Sequence, residues 1–538
     1  MKCHRTGAAL IDEPRVCDQK ALPGIRNRSE LLKGSAPKDE PARGGAGRLG
    51  GRGGRGRLGH DTPYANTVSR RLISSNLGCW VDPAVAFEAL YAGAQTAFWL
   101  DSGPDAVVGM SYIGAAASSA AGRLGASAVD HAGAAVLDDI EKSLAVERGG
   151  APGFGFGGFA AAAAADAAAA AAAGLPAFQL GWVGWLAYDV EDSRFMFVDR
   201  AIAFDHAART VTLLALAEDD EAPEPWLEAT AEQLRVAGNR GVDHSGRFAD
   251  SVASASTLAA PAARWRHSPP EYLRLVRECQ RLIGEGDAYQ LCLTNEVTVA
   301  VHPEPLATYR ALRAANPTHH GGFMRFGEMS LLSSSPEQFL EVTAGGAITT
   351  KPIKGTRPRG STPESDAALR DELRENVKER AENVMIVDLM RNDLGRVAQT
   401  GTVRVTALFE VESFSTVHQL VSTVTAQLAD GLTGVDAVRA SFPAGSMTGA
   451  PKISAMQILN RLERGRRGIY AGAFGYFGLD GRVDLAMSIR SIVLSPTGAS
   501  IGTGGGITAL SVPEDELAEI EVKAAPLLAV LGVVDARG

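Results

Sequence analysis

Hydrophobic and polar positions change their period along this chain. In the first half, short apolar runs such as Ala97-Phe98-Trp99-Leu100-Asp101-Ser102 and Val211-Thr212-Leu213-Leu214-Ala215-Leu216 are bounded by turn residues, which predicts antiparallel strands. From Ser268-Pro269 a helical period takes over, with Leu273, Val276 and Ile283 as the stripe and Gly284 and Gly286 as the stop. A strand is expected from Tyr289 to Val301, with Gln290, Cys292 and Thr294 on one face. A long helical stretch follows from about Glu364 to Leu394. Tyr470 to Phe477 and Val483 to Leu494 flank Asp480-Gly481, a hairpin signal. Strands, then helices, then strands predict an α+β fold and not a regular βαβ alternation.

The pattern divides the chain into four parts. Residues 1–75 are expected to be a disordered Gly/Arg-rich extension, because Gly44 to Gly59 holds nine glycines and four arginines and cannot bury a core. Residues 76–240 form a strand-rich first subdomain, with Gly153 to Phe159 and the alanine run after it as an inserted loop. Residues 241–265 are a linker, and residues 266–535 are the denser second half.

Composition narrows the function classes. The net charge of −9 is uneven: residues 1–75 hold 15 Lys+Arg against 7 Asp+Glu, and the remainder holds 38 against 55. An acidic body argues against general nucleic-acid binding by the folded part. The Arg-Gly tract alone leaves RNA binding as a non-enzymatic alternative. No apolar run reaches the roughly 18 residues of a membrane span, so no membrane partner is expected. Five scattered cysteines, Cys3, Cys17, Cys79, Cys279 and Cys292, form no CxxC pair and fit a reducing cytoplasm better than a disulfide framework.

Candidate chemistry sits in the second half. Pro352-Ile353-Lys354-Gly355-Thr356-Arg357-Pro358-Arg359-Gly360 presents a lysine from a stiff basic turn, where neighbouring cations would lower its pKa and free an amine nucleophile; a basic surface loop is the competing reading. Glu379 and Glu382 share one helix face, as do Glu516, Glu519 and Lys523. Two such pairs could bind Mg²⁺, although glutamates at this spacing are more often a solvated face. Gly504, Gly505 and Gly506 could turn backbone N–H groups on an anion. Arg490, inside an apolar strand, calls for a carboxylate partner from a ligand or from the protein itself.

Several longer motifs carry a resemblance: SSPEQF (333–338), PIKGTRPRG, RAENVMIVDLMRNDLGRV (380–397), VHQLVST (417–423), FPAGSMTGAPK (442–452) and GTGGGI. Together with FWLDSG and GWVGWLAYD they resemble the chorismate-utilising family over about residues 80–530. That resemblance implies a large two-sheet antiparallel β-sandwich with helices packed outside, and a Mg²⁺-dependent site for chorismate. By the same likeness, Glu382 and Glu519 match the metal carboxylates, with Glu379 and Glu516 beside them acting through waters. Arg490, Gly504, Gly505 and Gly506 match the groups that grip substrate carboxylates, and Tyr470 and Lys523 line the pocket. Glu337 matches the acid that protonates the departing C4 hydroxyl, while His418 and Thr448 match ring-side contacts.

Two positions choose among the subfamilies. Gln290 stands where isochorismate and salicylate synthases have the lysine that activates water, and Gln cannot be that base. Lys354 stands where anthranilate synthases have alanine, and resembles the lysine of aminodeoxychorismate synthases that attacks C2 of the ring. The resemblance therefore implies amination at C4 with pyruvate retained, serving 4-aminobenzoate and folate synthesis, with anthranilate formation as the rival. None of the cysteines has the setting of a glutaminase nucleophile, so ammonia is expected from a separate glutamine amidotransferase subunit.

Overall fold

The computed structural model describes residues 26–27, 70–117, 135–147, 174–218, 223–239, 261–414 and 417–533. Two antiparallel sheets, of 13 and 9 strands, pack face to face. Between them lies a core in which Phe98, Ala201, Leu214 and Met324 of the larger sheet meet Val183, Trp185, Met196 and Phe474 of the smaller. Helices cover the outer faces. Pro83–Tyr91, Glu224–Asn239, Pro305–Ala315 and Pro513–Val530 pack on the large sheet through Phe87, Leu227, Leu312 and Leu527. Val136–Glu147, Val377–Gly395 and Gly434–Ser441 cover the small one through Ile140, Ile386 and Val438. The α+β two-sheet sandwich expected from the motifs is the observed architecture.

Both halves of the sequence build both sheets. Thr96–Asp101 pairs with His320–Phe326, and Gly181–Leu186 pairs with Ala473–Gly478. The division at residues 241–265 is thus not a division of the sandwich, and its last residues, Ala263–Trp265, are a strand on Val297–Val299. The ordered body also begins earlier than expected. Arg70–Asn76, which overlaps the end of the segment read as disordered, pairs with Thr212–Glu218, and Arg26–Asn27 pairs with Ile73 and Ser74. Alternation explains this: Leu72 is buried between the sheets and Ile73 under the helices. The Gly44–Gly59 tract, with its RNA-binding alternative, the 153–173 insertion and residues 241–260 lie outside the described residues.

Other local readings change in ways that shape the site. The helical stretch 364–394 is two helices, Pro363–Glu375 and Val377–Gly395, broken at Asn376. The Asn376 side chain accepts the Glu379 amide at 3.1 Å and restarts the helix. Val483 to Leu494 is likewise two strands, Val483–Met487 and Ser491–Ser495, in different sheets. Cys279 and Cys292 are buried thiols.

Candidate active site

A cavity of about 490 Å³ opens where the edge of the small sheet meets the strand Gly498–Ile507 of the large sheet. It gathers Lys354, Glu337, Glu379, Glu382, Tyr470, Arg490, Gly504, Gly505, Gly506, Glu519 and Lys523 from widely separated segments.

Lys354 does not sit in a turn. Ile353–Pro358 is the edge strand of the small sheet, paired with Val417–Gln427, and a bulge falls between Lys354 and Thr356. Gly355 at the bulge has φ +76°, and a Cβ there would lie 2.9 Å from the Glu379 carboxyl carbon. A bulge bends a strand and re-aims its side chains. The expected lowering of the Lys354 pKa is also overturned. Burial acts to lower it, but Glu382, Cys292, Glu337 and Glu519 outweigh burial and hold the ammonium above its usual value. The neighbouring arginines are engaged elsewhere: Arg357 with Glu372 at 2.6 Å and Arg359 with Asp366 at 2.7 Å.

Glu337 faces the same cavity from the end of the strand Met329–Ser335. Burial pushes its carboxyl up to about 6, against the opposing pull of Lys354, the Ser446 hydroxyl and the Ile353 amide. A carboxylic acid near pH 6 beside an ammonium is a proton-transfer pair.

The four helix carboxylates meet around the glycine strand. A Cβ on Gly505 would lie 2.8 Å from Glu516 Oε2, and one on Gly506 would lie 3.6 Å from Glu382 Oε2. Burial raises Glu382 to about 7, helped by Glu379 and Glu516 and opposed by Lys354 and Lys378. Glu519 is held below the usual range, because Lys523 at 2.5 Å outweighs its burial. Oxygen donors on a glycine cradle have the right chemistry for a hard cation such as Mg²⁺. Among the described residues no three carboxylates converge closely enough to ligate one; lysines supply the positive charge instead.

Gly502 to Ile507 is itself strand, not a loop. It pairs along one edge with Leu291–Glu296, while its register with Ser491–Ser495 ends at Ser500. From Ile501 on, the second edge has no described strand partner, leaving backbone donors for a ligand. Glycine is required by space as well: a Cβ on Gly502 would lie 2.0 Å from the Tyr470 ring. Arg490 lies on the crossing between the two sheets with φ +51°. It makes no ion pair with any described carboxylate, and burial lowers its pKa. A strained, unpaired guanidinium on a cavity wall is a docking group for an anion.

Four expected residues fall off the cavity wall. Val417 and Gln419 line it, so His418 between them faces away, with Nε2 2.9 Å from Asp366 and Nδ1 2.8 Å from Ser413. Thr448 turns its hydroxyl to the Ala444 and Gly445 carbonyls of its own turn, while Ser446 and Met447 face the cavity. Glu516 lies behind Gly505, and Gln290 is buried behind Gly506 with both amide atoms unpartnered. Gln419, Ser446 and Lys378 are wall residues that the sequence reasoning missed.

A buried clip holds this wall. Arg467 bonds Glu463 at 2.7 Å and also donates to the carbonyls of Met447 and Cys292. Arg467→Met takes away the guanidinium that Glu463 is paired with in the core and costs about 3–5 kcal/mol by urea unfolding; a loss under about 1 kcal/mol would contradict this.

Comparison with known proteins agrees with the geometry. The chorismate binding enzyme family matches residues 145–529. This chain belongs to that family. It is 42% identical to the aminodeoxychorismate synthases of Streptomyces griseus and Streptomyces pristinaespiralis, over 92% and 86% of this chain. It spans 70% and 65% of those two proteins, about two thirds of their length. Anthranilate synthase component 1 of Pseudomonas putida is 38% identical over 64% of this chain and 73% of its own. The crystal structure of anthranilate synthase component I from Streptococcus pneumoniae superposes with a TM-score of 0.57 and 31% identity, over 65% of this chain and 81% of that one.

Proposed function

We propose that this chain converts chorismate and ammonia to 4-amino-4-deoxychorismate, as the chorismate-aminating component of an aminodeoxychorismate synthase. The observation that carries the reading is Lys354 in the cavity that Glu337 and Arg490 also line. The greater identity and coverage with aminodeoxychorismate synthases than with anthranilate synthases supports it.

In this reading Arg490 and the open edge of Gly504 to Gly506 hold the substrate carboxylates. Lys354 passes its proton to Glu337, and its free Nζ forms a bond to C2 as the ring double bonds shift and the C4–O bond breaks. Glu337 gives the proton to the departing hydroxyl, which leaves as water. Ammonia then bonds to C4, the double bonds shift back and the Lys354–C2 bond breaks. The enolpyruvyl group stays in place throughout. Glu382 and Glu519, with Glu379 and Glu516 behind them, would hold Mg²⁺, which neutralises a substrate carboxylate when bound. Ammonia comes from a separate glutamine amidotransferase. The product feeds 4-aminobenzoate and folate synthesis in the cytoplasm, a setting with which the two buried thiols agree.

Product identity tests the reading. Protein, chorismate, Mg²⁺ and ammonia are incubated with and without the lyase that removes pyruvate from aminodeoxychorismate. We expect 4-aminobenzoate only when the lyase is present. Fluorescent anthranilate formed without it would overturn the assignment.

A further inference from the structure

Two of the site carboxylates are deeply buried and come from different helices. The Glu516 side chain, on Pro513–Val530, is 2% exposed, and that of Glu382, on Val377–Gly395, is 10% exposed. Carboxylates buried this deeply call for a cation or hydrogen-bond donors close by. Three lysines stand around the cavity, and they differ in what they touch. Lys354 makes no ion pair with a described carboxylate. Lys523 is fixed within its own helix, to Glu519 at 2.5 Å, and to the Gly504 carbonyl at 2.8 Å. Lys378 alone among the described lysines reaches both buried carboxylates, at 3.3 Å from Glu516 Oε1 and 3.9 Å from Glu382 Oε1. It clasps the two helices together across the glycine strand.

Lys378 also differs in its freedom. It is the second residue of its helix, and its side chain is 43% exposed. A long flexible stem can carry the ammonium from the carboxylates to water without moving the backbone. An ammonium left between Glu382 and Glu516 would repel any divalent ion that entered the same space.

We propose that Lys378 is a stand-in cation, which occupies the carboxylate site of the metal-free protein and moves out to solvent when a divalent ion takes its place. The inference rests on the Mg²⁺ reading above and deepens it. Lys378 keeps buried anions compensated before metal arrives, and it sets the metal affinity lower than the carboxylates alone would give, because every binding event must first displace it.

The test is calorimetric titration of Mg²⁺ into the metal-free full chain without chorismate, with melting temperatures read alongside. Lys378→Met removes the competitor, and we expect it to bind Mg²⁺ about tenfold more tightly than the wild type. Its metal-free melting temperature should fall, and the Mg²⁺-saturated temperatures of the two proteins should coincide. Lys378→Arg keeps the charge and should stay within about threefold of the wild-type affinity. Wild-type Mg²⁺ binding with an unchanged or weaker affinity in Lys378→Met would overturn the stand-in role while leaving the metal reading intact. No Mg²⁺ binding by any of the three would overturn both.

Discussion

Lys354→Ala is expected to lower kcat/KM for amination by on the order of 10³-fold or more, with little change in fold stability. The residue is on an edge strand, and its side chain points into a cavity and supports no core cluster. Its loss removes the atom that bonds to C2, and the Gln290 carboxamide cannot substitute for an amine. Chorismate binding should survive, because Arg490 and the glycine strand are untouched. The split between a collapsed kcat and a nearly unchanged dissociation constant separates this role from one in binding. A variant retaining more than about a tenth of the wild-type rate would show that direct attack by ammonia suffices.

Glu337→Gln is expected to lower kcat by about 10²–10⁴-fold and to change the shape of the pH profile. The sign follows from the two pKa shifts. Lys354 is held above its usual value and Glu337 lies near 6, so the resting pair is an ammonium beside a carboxylate. The reactive arrangement, neutral amine beside neutral acid, contains the same single proton. As pH falls through about 6, Glu337 takes a second proton and nothing remains to accept the one on Lys354. The wild-type kcat/KM, measured at constant free NH₃, should therefore be level above this pH and fall roughly tenfold per unit below it. Glu337→Gln should lose that acidic limb. An acidic limb that persists in the variant, or a wild-type rate that falls on the alkaline side of 6, would contradict the shared proton.

The sequence made the chemistry legible where it depends on short-range spacing. Glu379 with Glu382, and Glu516 with Glu519 and Lys523, could be placed on common helix faces from the 3.6-residue period alone. Lys354 and Gln290 could be singled out because their residue types decide what reaction is possible. What failed was what depends on partners far along the chain. The arginines near Lys354 seemed to crowd it, yet Arg357 and Arg359 are bound by Glu372 and Asp366 of the following helix. The lysine is left to the field of Glu382 and Glu337, and the sign of its shift reverses. His418 and Thr448 came from motif likeness, which places a segment at the site but does not say which of its neighbouring side chains faces the cavity: Val417, Gln419, Ser446 and Met447 do. The glycine run shows its strand character only once the facing strand Leu291–Glu296, far earlier in the chain, is in place. The break at Asn376 had a usable signal, since an Asn three residues before Glu379 is a helix-start pair.

The account stands or falls on a covalent bond between Lys354 and the ring. Wild-type protein is mixed with chorismate and Mg²⁺ without ammonia, quenched in acid and measured as intact protein, followed by peptide mapping. We expect a mass increase of chorismate less one water, confined to the peptide carrying Lys354 and missing in Lys354→Ala. The same adduct found on another residue, or persisting in Lys354→Ala, would contradict it.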